Sequence, residues 1–376
     1  MMERRRRAEI ALTTEQKRVL WHLKTRGPMP RTQLATELDM HNAALTRLSR
    51  ELMMLGCLEE QEGQQTGRGR PTVPLAISGR LGYAAGAMAH PGWLEIVLVD
   101  FAGLVIAKHA ESFSSPDPRE FIERVDECLR RLALENNVMR SRLLGLGVAI
   151  PGPTTVTSPH KRWTVKWLEG WREVEHPQFF EDVLGIPVWV ENEAKLAGLA
   201  DFYGCGLLER YSSAISIFIG HGVGGSTITM RDVLRGEFGN AGDLGRLYPD
   251  LEKPRPSGID LVRDLKAAGA SLASLRDVEE VLVSHAPVIQ RWVERAGPQL
   301  ATLVAAGAAW LDPGAIIVSG SVPIPILSAL GAQLEAAEWI FGHTPMPRPT
   351  FHVSSLGSWA TPIGAAMLPL HEIIAQ

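Results

Sequence analysis

The stretch Ser216-Ile-Phe-Ile-Gly-His-Gly-Val-Gly-Gly-Ser226, followed by Arg235-Gly-Glu-Phe-Gly-Asn-Ala-Gly-Asp-Leu-Gly-Arg246, decides how this chain is read. A β-branched and aromatic run entering a glycine cluster is the pattern of a buried strand ending in a tight loop, where backbone amides can approach a ligand closely. The same glycines would also serve plain hairpin turns. The choice between binding loop and turn therefore rests on what surrounds them.

Outward from this stretch the chain alternates strands and helices. Residues 81–89, 93–100 and 104–110 are strand-like, and 119–136 is an amphipathic helix with Phe121, Val125, Cys128, Leu129 and Leu132 inward. Leu144-Gly-Leu-Gly-Val-Ala-Ile150 is a buried strand ending in Pro151-Gly-Pro153, and residues 186–190 form another, after which Glu191-Asn-Glu-Ala-Lys195 turns helical at once. Residues 214–219 restart the strands, 281–311 is a long helical stretch, and 315–319 is a last buried strand reaching Gly320. Two similar α/β lobes with a glycine-rich cleft between them are the economical arrangement.

The first 78 residues are of another kind. Thr13-Thr-Glu-Gln16 offers a capping box to a helix carrying Val19, Leu20 and Leu23, which stops at Gly27-Pro28. Pro30-Arg-Thr-Gln-Leu-Ala-Thr-Glu-Leu38 makes a short second helix. A third, with Asn42 as its expected N-cap, places Leu45, Leu48, Leu52 and Leu55 on one face and Asn42, Ala43, Thr46, Arg47 and Arg50 on the other, and Gly56 ends it. Strand-like segments at 57–62 and 72–77 then flank the polar tip Gly63-Gln-Gln-Thr-Gly-Arg-Gly-Arg-Pro71. Three short helices and a hairpin read as a winged helix-turn-helix. Its third helix would enter the major groove of double-stranded DNA, and Arg68 and Arg70 would lie along a narrow minor groove, where negative potential attracts guanidinium groups. Arg4 to Arg7 suit either a phosphate-binding or a solubilising tail.

Charge agrees with that division. Residues 1–80 carry 14 Lys+Arg against 9 Asp+Glu, leaving 24 against 33 for the remainder, so a basic front sits on an acidic body. Three scattered cysteines, Cys57, Cys128 and Cys205, form no CxxC pair, which argues against a disulfide framework and a thiolate zinc site. No run is long and uniform enough to span a bilayer, so no membrane role is expected and the cytoplasm is the expected compartment.

From residue 81 onward the chain resembles the ROK family of repressors, open reading frames and sugar kinases. The resemblance is carried by Gly147-Val-Ala-Ile-Pro-Gly-Pro153, Gly170-Trp171, Glu191-Asn-Glu-Ala-Lys195, Gly220-His-Gly-Val-Gly-Gly225, Gly239-Asn-Ala-Gly-Asp-Leu-Gly-Arg246 and Leu311-Asp-Pro-Gly-Ala-Ile-Ile-Val-Ser-Gly320, in the family's order and spacing. The family's repressors also carry a winged helix with a Gly-Arg-Pro element, which Gly69-Arg70-Pro71 matches. The resemblance implies an α/β fold in which a winged helix-turn-helix, residues 1–78, precedes a two-lobed actin-like, sugar-kinase-like body, residues 79–376. It also implies a homodimer or homotetramer acting on a (pseudo)palindromic operator.

The same resemblance shows what has changed. The kinases use an Asp-x-Gly-Gly-Thr turn for phosphate and magnesium, and its counterpart here is Met88-Ala-His-Pro-Gly92, which lacks the carboxylate and loses an amide donor to proline. Glu193 stands for the family's aspartate base, Asp243 for a sugar-binding glutamate, and Arg246 for a histidine that binds sugar and zinc. The following segment, 248–258, holds no cysteine. No cofactor, no metal and no catalysis are therefore expected, and the expected small-molecule partner is a sugar or sugar-derivative effector held by Asn192, Glu193, Asp243 and Arg246, with His221 nearby. Arg246 suits a carboxylate or phosphate on that effector, or else pairs with Asp243 or Glu193. Two other readings stay open on sequence alone: an active sugar kinase with an appended DNA-binding module, and a DNA-binding dimer that senses nothing.

Overall fold

The computed structural model describes residues 10–63, 72–250, 252–337 and 347–375. Arg68 and Arg70, with Arg4 to Arg7, lie outside the described residues. The N-terminal module is built from α1 (Thr14–Arg26), β1 (Met29–Pro30), α2 (Arg31–Glu37), α3 (Asn42–Met54), β2 (Leu58–Glu60) and β3 (Pro74–Ile77). The capping box forms as expected: Gln16 N donates to Thr13 Oγ1 at 3.2 Å and Thr13 N to Gln16 Oε1 at 3.0 Å. The third helix starts one residue earlier than expected. His41, in extended conformation, occupies the cap position and its carbonyl accepts from Leu45 N at 3.0 Å, so Asn42 is already the first helical residue. At the other end Gly56, at φ +79°, closes a Schellman motif in which Gly56 N bonds Met53 O and Cys57 N bonds Leu52 O. The wing strands pair antiparallel, Leu58 opposite Ile77, and β1 lies on the far side of β3.

The body holds two five-stranded sheets of the same design. The first comprises β4 (Tyr83–His90), β5 (Gly92–Asp100), β6 (Val105–Phe113), β7 (Leu143–Ala149) and β8 (Val188–Glu191), in the order β6-β5-β4-β7-β8. The second comprises β9 (Ala214–Ile219), β10 (Val223–Thr229), β11 (Asp232–Val233), β12 (Ala315–Gly320) and β13 (Thr350–Val353), in the order β11-β10-β9-β12-β13. In each, an antiparallel meander of three strands is extended by two parallel ones. Two departures from the sequence reading follow. The strand at 315–319 is not the last, because β13 pairs with it in parallel, and the long helix begins only at Ala286, after a 3₁₀ segment over Leu275–Val281.

Helices α4 (Pro118–Glu135) and α5 (His176–Leu184) belong to the first lobe, and α7 (Gly258–Ala267), α8 (Ala286–Leu311) and α9 (Ile324–Ala336) to the second. Between them run α6 (Glu193–Gly204) and α10 (Ala360–Ile374), which pack on each other. α10 is buried along nearly its whole length, and glycines make that possible. A Cβ on Gly147 of β7 would lie 1.8 Å from Ala365 O, one on Gly86 of β4 2.2 Å from Pro362 O, and one on Gly364 1.8 Å from Leu196 O of α6. Backbone thus meets backbone on two faces of the helix.

The winged helix is not strung on a linker. One apolar cluster takes in Leu20 and Leu23 of α1, Val97 of β5 with Phe101, and Ile363, Leu370 and Ile374 of α10. Lys17 Nζ donates to Ala375 O at 3.0 Å, and Lys24 Nζ to Ala102 O at 3.2 Å. Burial pulls the Lys24 amine below its ordinary pKa, against the opposing pull of Asp100. Among the described residues, no helix is long and apolar enough to cross a membrane.

Candidate DNA-reading face and interlobe cleft

On α3 the sequence reading and the geometry coincide except at Leu55, which falls at the C-cap after the last full turn and is exposed rather than inward. Leu45, Leu48 and Leu52 are buried, while Asn42, Ala43, Arg47 and Arg50 are exposed on the opposite face. Thr46 is half-buried, and its hydroxyl donates to Asn42 O at 2.7 Å. Neither Arg47 nor Arg50 has an ion-pair partner among the described residues, so both guanidinium groups are available to phosphate or base edges. One contributor was missed. Arg31, the first residue of α2, bonds Ser49 Oγ at 3.1 Å and Glu60 Oε1 at 2.7 Å, bracing α3 against the wing strand β2.

Between the lobes lies a cavity of about 190 Å³. Its walls are the β4–β5 turn (Met88, His90 and Pro91), the Pro151-Gly152 loop, Glu193 at the head of α6, the Gly220-His-Gly-Val223 loop after β9, and Asp243. The opening glycine stretch is therefore a cleft wall and a hairpin at once, because β9 and β10 pair across Gly220–Val223, Ile219 opposite Val223. At the β4–β5 turn the His90 ring stacks on Trp93 at 4.4 Å, and its Nε2 lies 3.0 Å from Glu95 Oε2, both side chains buried. Sequence reasoning missed this pair, whose register on the β4–β5 hairpin is its signal.

The expected ligand residues separate. Glu193 and Asp243 line the cavity, as does His221. Asn192 is engaged elsewhere: it caps α6 by accepting from Ala194 N at 3.0 Å and donates to Glu193 Oε2 at 2.7 Å, so it aims the neighbouring carboxyl. Arg246 is exposed in a 3₁₀ turn over Leu244–Leu247 and does not line the cavity. The guanidinium that does so belongs to Arg255, which the sequence reading did not single out.

Burial sets the protonation of these groups. It pushes the Glu193 carboxyl up to about 7 and the His221 imidazole down to about 4, and it raises Asp243 against the pull of Arg246 and Lys195. At neutral pH His221 is an uncharged hydrogen-bonding group, and Glu193 can donate as well as accept. The Glu193 shift carries a stability sign. Unfolded glutamate releases its proton near pH 4.3, so the folded chain binds more protons between there and about 7, and stability falls as pH rises through that window. Glu193→Gln, measured by urea midpoints, is expected to be about 1–2 kcal/mol more stable than the parent at pH 8, after allowance for its partial exposure, and no different at pH 4.5.

Behind the cleft Glu191, at the end of β8, gathers three cations: Arg162 at 3.1 Å, Arg235 at 3.2 Å and Lys195 at 3.6 Å. Burial raises its pKa, but these charges outweigh burial and hold it low. Arg235 reaches onward to Glu372 of α10 at 2.6 Å. Beside Glu372, His371 lies 2.9 Å from Asp232 and meets the edge of Trp21, on α1, with ring centroids 5.3 Å apart. A connected path of charged and aromatic groups thus runs from the cleft wall to the DNA-reading module.

The chain is similar to known proteins over most of its length. The model of the ROK family matches residues 94–372. The uncharacterized protein y4fQ of Sinorhizobium fredii is 29% identical over 92% of this chain and 88% of its own length, and the xylose repressor of Bacillus spizizenii 22% identical over 73% and 71%. Among solved structures, a ROK family transcriptional regulator, a homologue of the E. coli MLC protein, superposes with a TM-score of 0.66 over 96% of both chains at 20% identity. A ROK family glucokinase from Streptomyces griseus, in complex with glucose and AMPPNP, does so at 0.61 over 76% of this chain and 99% of its own, also at 20% identity.

Proposed function

This chain belongs to the ROK family, and from that premise we propose that it is a transcriptional regulator whose winged helix binds operator DNA under the control of a sugar or sugar derivative held between the lobes. The observation that carries the reading is the coexistence, in one chain, of an α3 face whose two arginines have no ion-pair partner among the described residues and an interlobe cavity bearing Glu193, Asp243 and Arg255. The relatives that bear the names of repressors support it. On this reading the protein works in the cytoplasm, and two-fold pairing of bodies, as homodimer or homotetramer, would set recognition helices about 34 Å apart on successive major grooves.

We read the cleft as a sensor without phosphoryl transfer. Met88 and Pro91 occupy the turn that would hold phosphate and magnesium, and neither side chain offers a ligand to a hard cation. Control of DNA binding needs only about 1.4 kcal/mol of coupling for each tenfold change in affinity. The Glu191–Arg235–Glu372 connection offers a physical route for it, since α10 carries the module's seat.

Genomic footprinting of the full-length protein tests the reading. The expected result is a small set of palindromic sites beside carbohydrate genes, with occupancy that changes when the matching sugar is supplied. Occupancy without sequence preference would sink it, and sugar-dependent ATP hydrolysis by the purified protein would restore the kinase reading.

A further inference from the structure

Among the described residues one Lys or Arg side chain lines the cavity, and that side chain has no partner. Four neighbouring cations have carboxylate partners, Arg162 and Lys195 at Glu191, Arg235 at Glu372 and Arg263 at Asp260, while Arg246 is exposed and does not line the cavity. Arg255 is different. Its backbone N–H is taken by the Asp260 carboxylate, which folds the loop before α7 back onto the cleft. Its Nε is buried without a hydrogen-bond partner, and the side chain forms no ion pair among the described residues. Leaving such a donor unsatisfied is unfavourable, and buried guanidinium groups in folded proteins find acceptors.

Among the described residues, no other group lining the cavity pairs with that guanidinium. His90 is spent on Glu95, His221 is neutral through burial, and Ser257 and Ser321 bring hydroxyls only. The two carboxyls, Glu193 and Asp243, are both shifted by burial toward their neutral forms and make no ion pair with Arg255. The cavity therefore presents a fork of N–H donors together with carboxyl groups suited to hydroxyls. A guanidinium fork matches the paired oxygens of a carboxylate or phosphate, whereas hydroxyls alone would leave its charge uncompensated.

We propose that the effector of this cleft is an anionic sugar derivative whose carboxylate or phosphate group is bound by Arg255 while Glu193 and Asp243 hold its hydroxyls. The proposal rests on the sensor reading above and adds the chemical class of the ligand and the residue that selects it.

The test is binding by the purified full-length protein, by calorimetry and thermal shift, to matched sets: glucose, galactose, mannose and xylose, their uronic or aldonic acids, and their phosphates, with inorganic phosphate and acetate as controls. The expected result is that an anionic member binds at least tenfold more tightly than its neutral parent. Arg255→Gln removes that preference while the variant's circular dichroism and unliganded melting temperature stay at parental values. Binding confined to phosphates names a sugar phosphate, and binding confined to carboxylates a sugar acid. A neutral sugar that binds as tightly as its anionic derivatives overturns the proposal but leaves the sensor reading standing, as does an Arg255→Gln protein that keeps full preference for the anion. If no sugar of any set binds while operator binding persists, the sensor reading fails and this inference with it.

Discussion

Replacing Arg47 and Arg50 together with alanine is expected to lower operator affinity by about 2–6 kcal/mol at fixed salt, on the basis of about 1–3 kcal/mol for each lost base contact. Both side chains stand on the exposed face of α3 without a partner among the described residues, so their removal costs the folded chain little. The double variant is therefore expected to melt at the parental temperature. Fluorescence anisotropy across a salt series separates two kinds of contact. A base-reading arginine relaxes specificity at one position, whereas a phosphate-binding one weakens all sequences and reduces the slope of log K against log salt by about 1. Unchanged operator affinity would mean that α3 is not the reading helix.

Gly147→Ala is expected to destabilise the protein by about 3 kcal/mol or more, at the upper end of overpacking effects. The new methyl group would lie 1.8 Å from Ala365 O, and backbone cannot rotate away as a side chain can. Relief requires lifting α10 off β7, and α10 also bears Leu370 and Ile374, against which the winged helix packs. Loss is expected to be cooperative across module and body. Gly204→Ala, at the end of α6 with no atom within 4 Å of the added carbon, is the matched control and is expected to change stability by less than about 1 kcal/mol. Urea unfolding followed by Trp fluorescence checks both. Equal midpoints for the two variants would refute the close seating of α10.

The sequence was most informative where a period or a cap repeats over a few residues. The α1 capping box, the leucine face of α3 and the strand into Gly220 are all local, and the structure places each where local chemistry puts it. Asn42 fell one position off because the competing cap, His41, has no side-chain hydrogen bond to announce it. The choice between Arg246 and Arg255 was beyond local reasoning. Both arginines stand beside prolines or glycines, and it is the bond from Arg255 N to the Asp260 carboxylate that ties Arg255 to the cleft. The central helix α10 was equally hidden. Its apolar composition is visible, but its burial depends on Gly86 and Gly147, which lie more than two hundred residues earlier on two different strands.

The shared core of α1, β5 and α10 has a consequence for the DNA that such a protein can accept. A reading head hung on a tether can swivel to meet half-sites at several separations. This one is bolted to its chassis, so two copies joined through their bodies would offer the double helix a caliper of fixed opening and fixed phase. One inserted base pair rotates a half-site by about a tenth of a turn, and a caliper with no joint can follow that rotation only by deforming its own core or the DNA. In such a pair, tolerance to operator spacing would be decided in the packing around Leu20 and Leu370, far from any base.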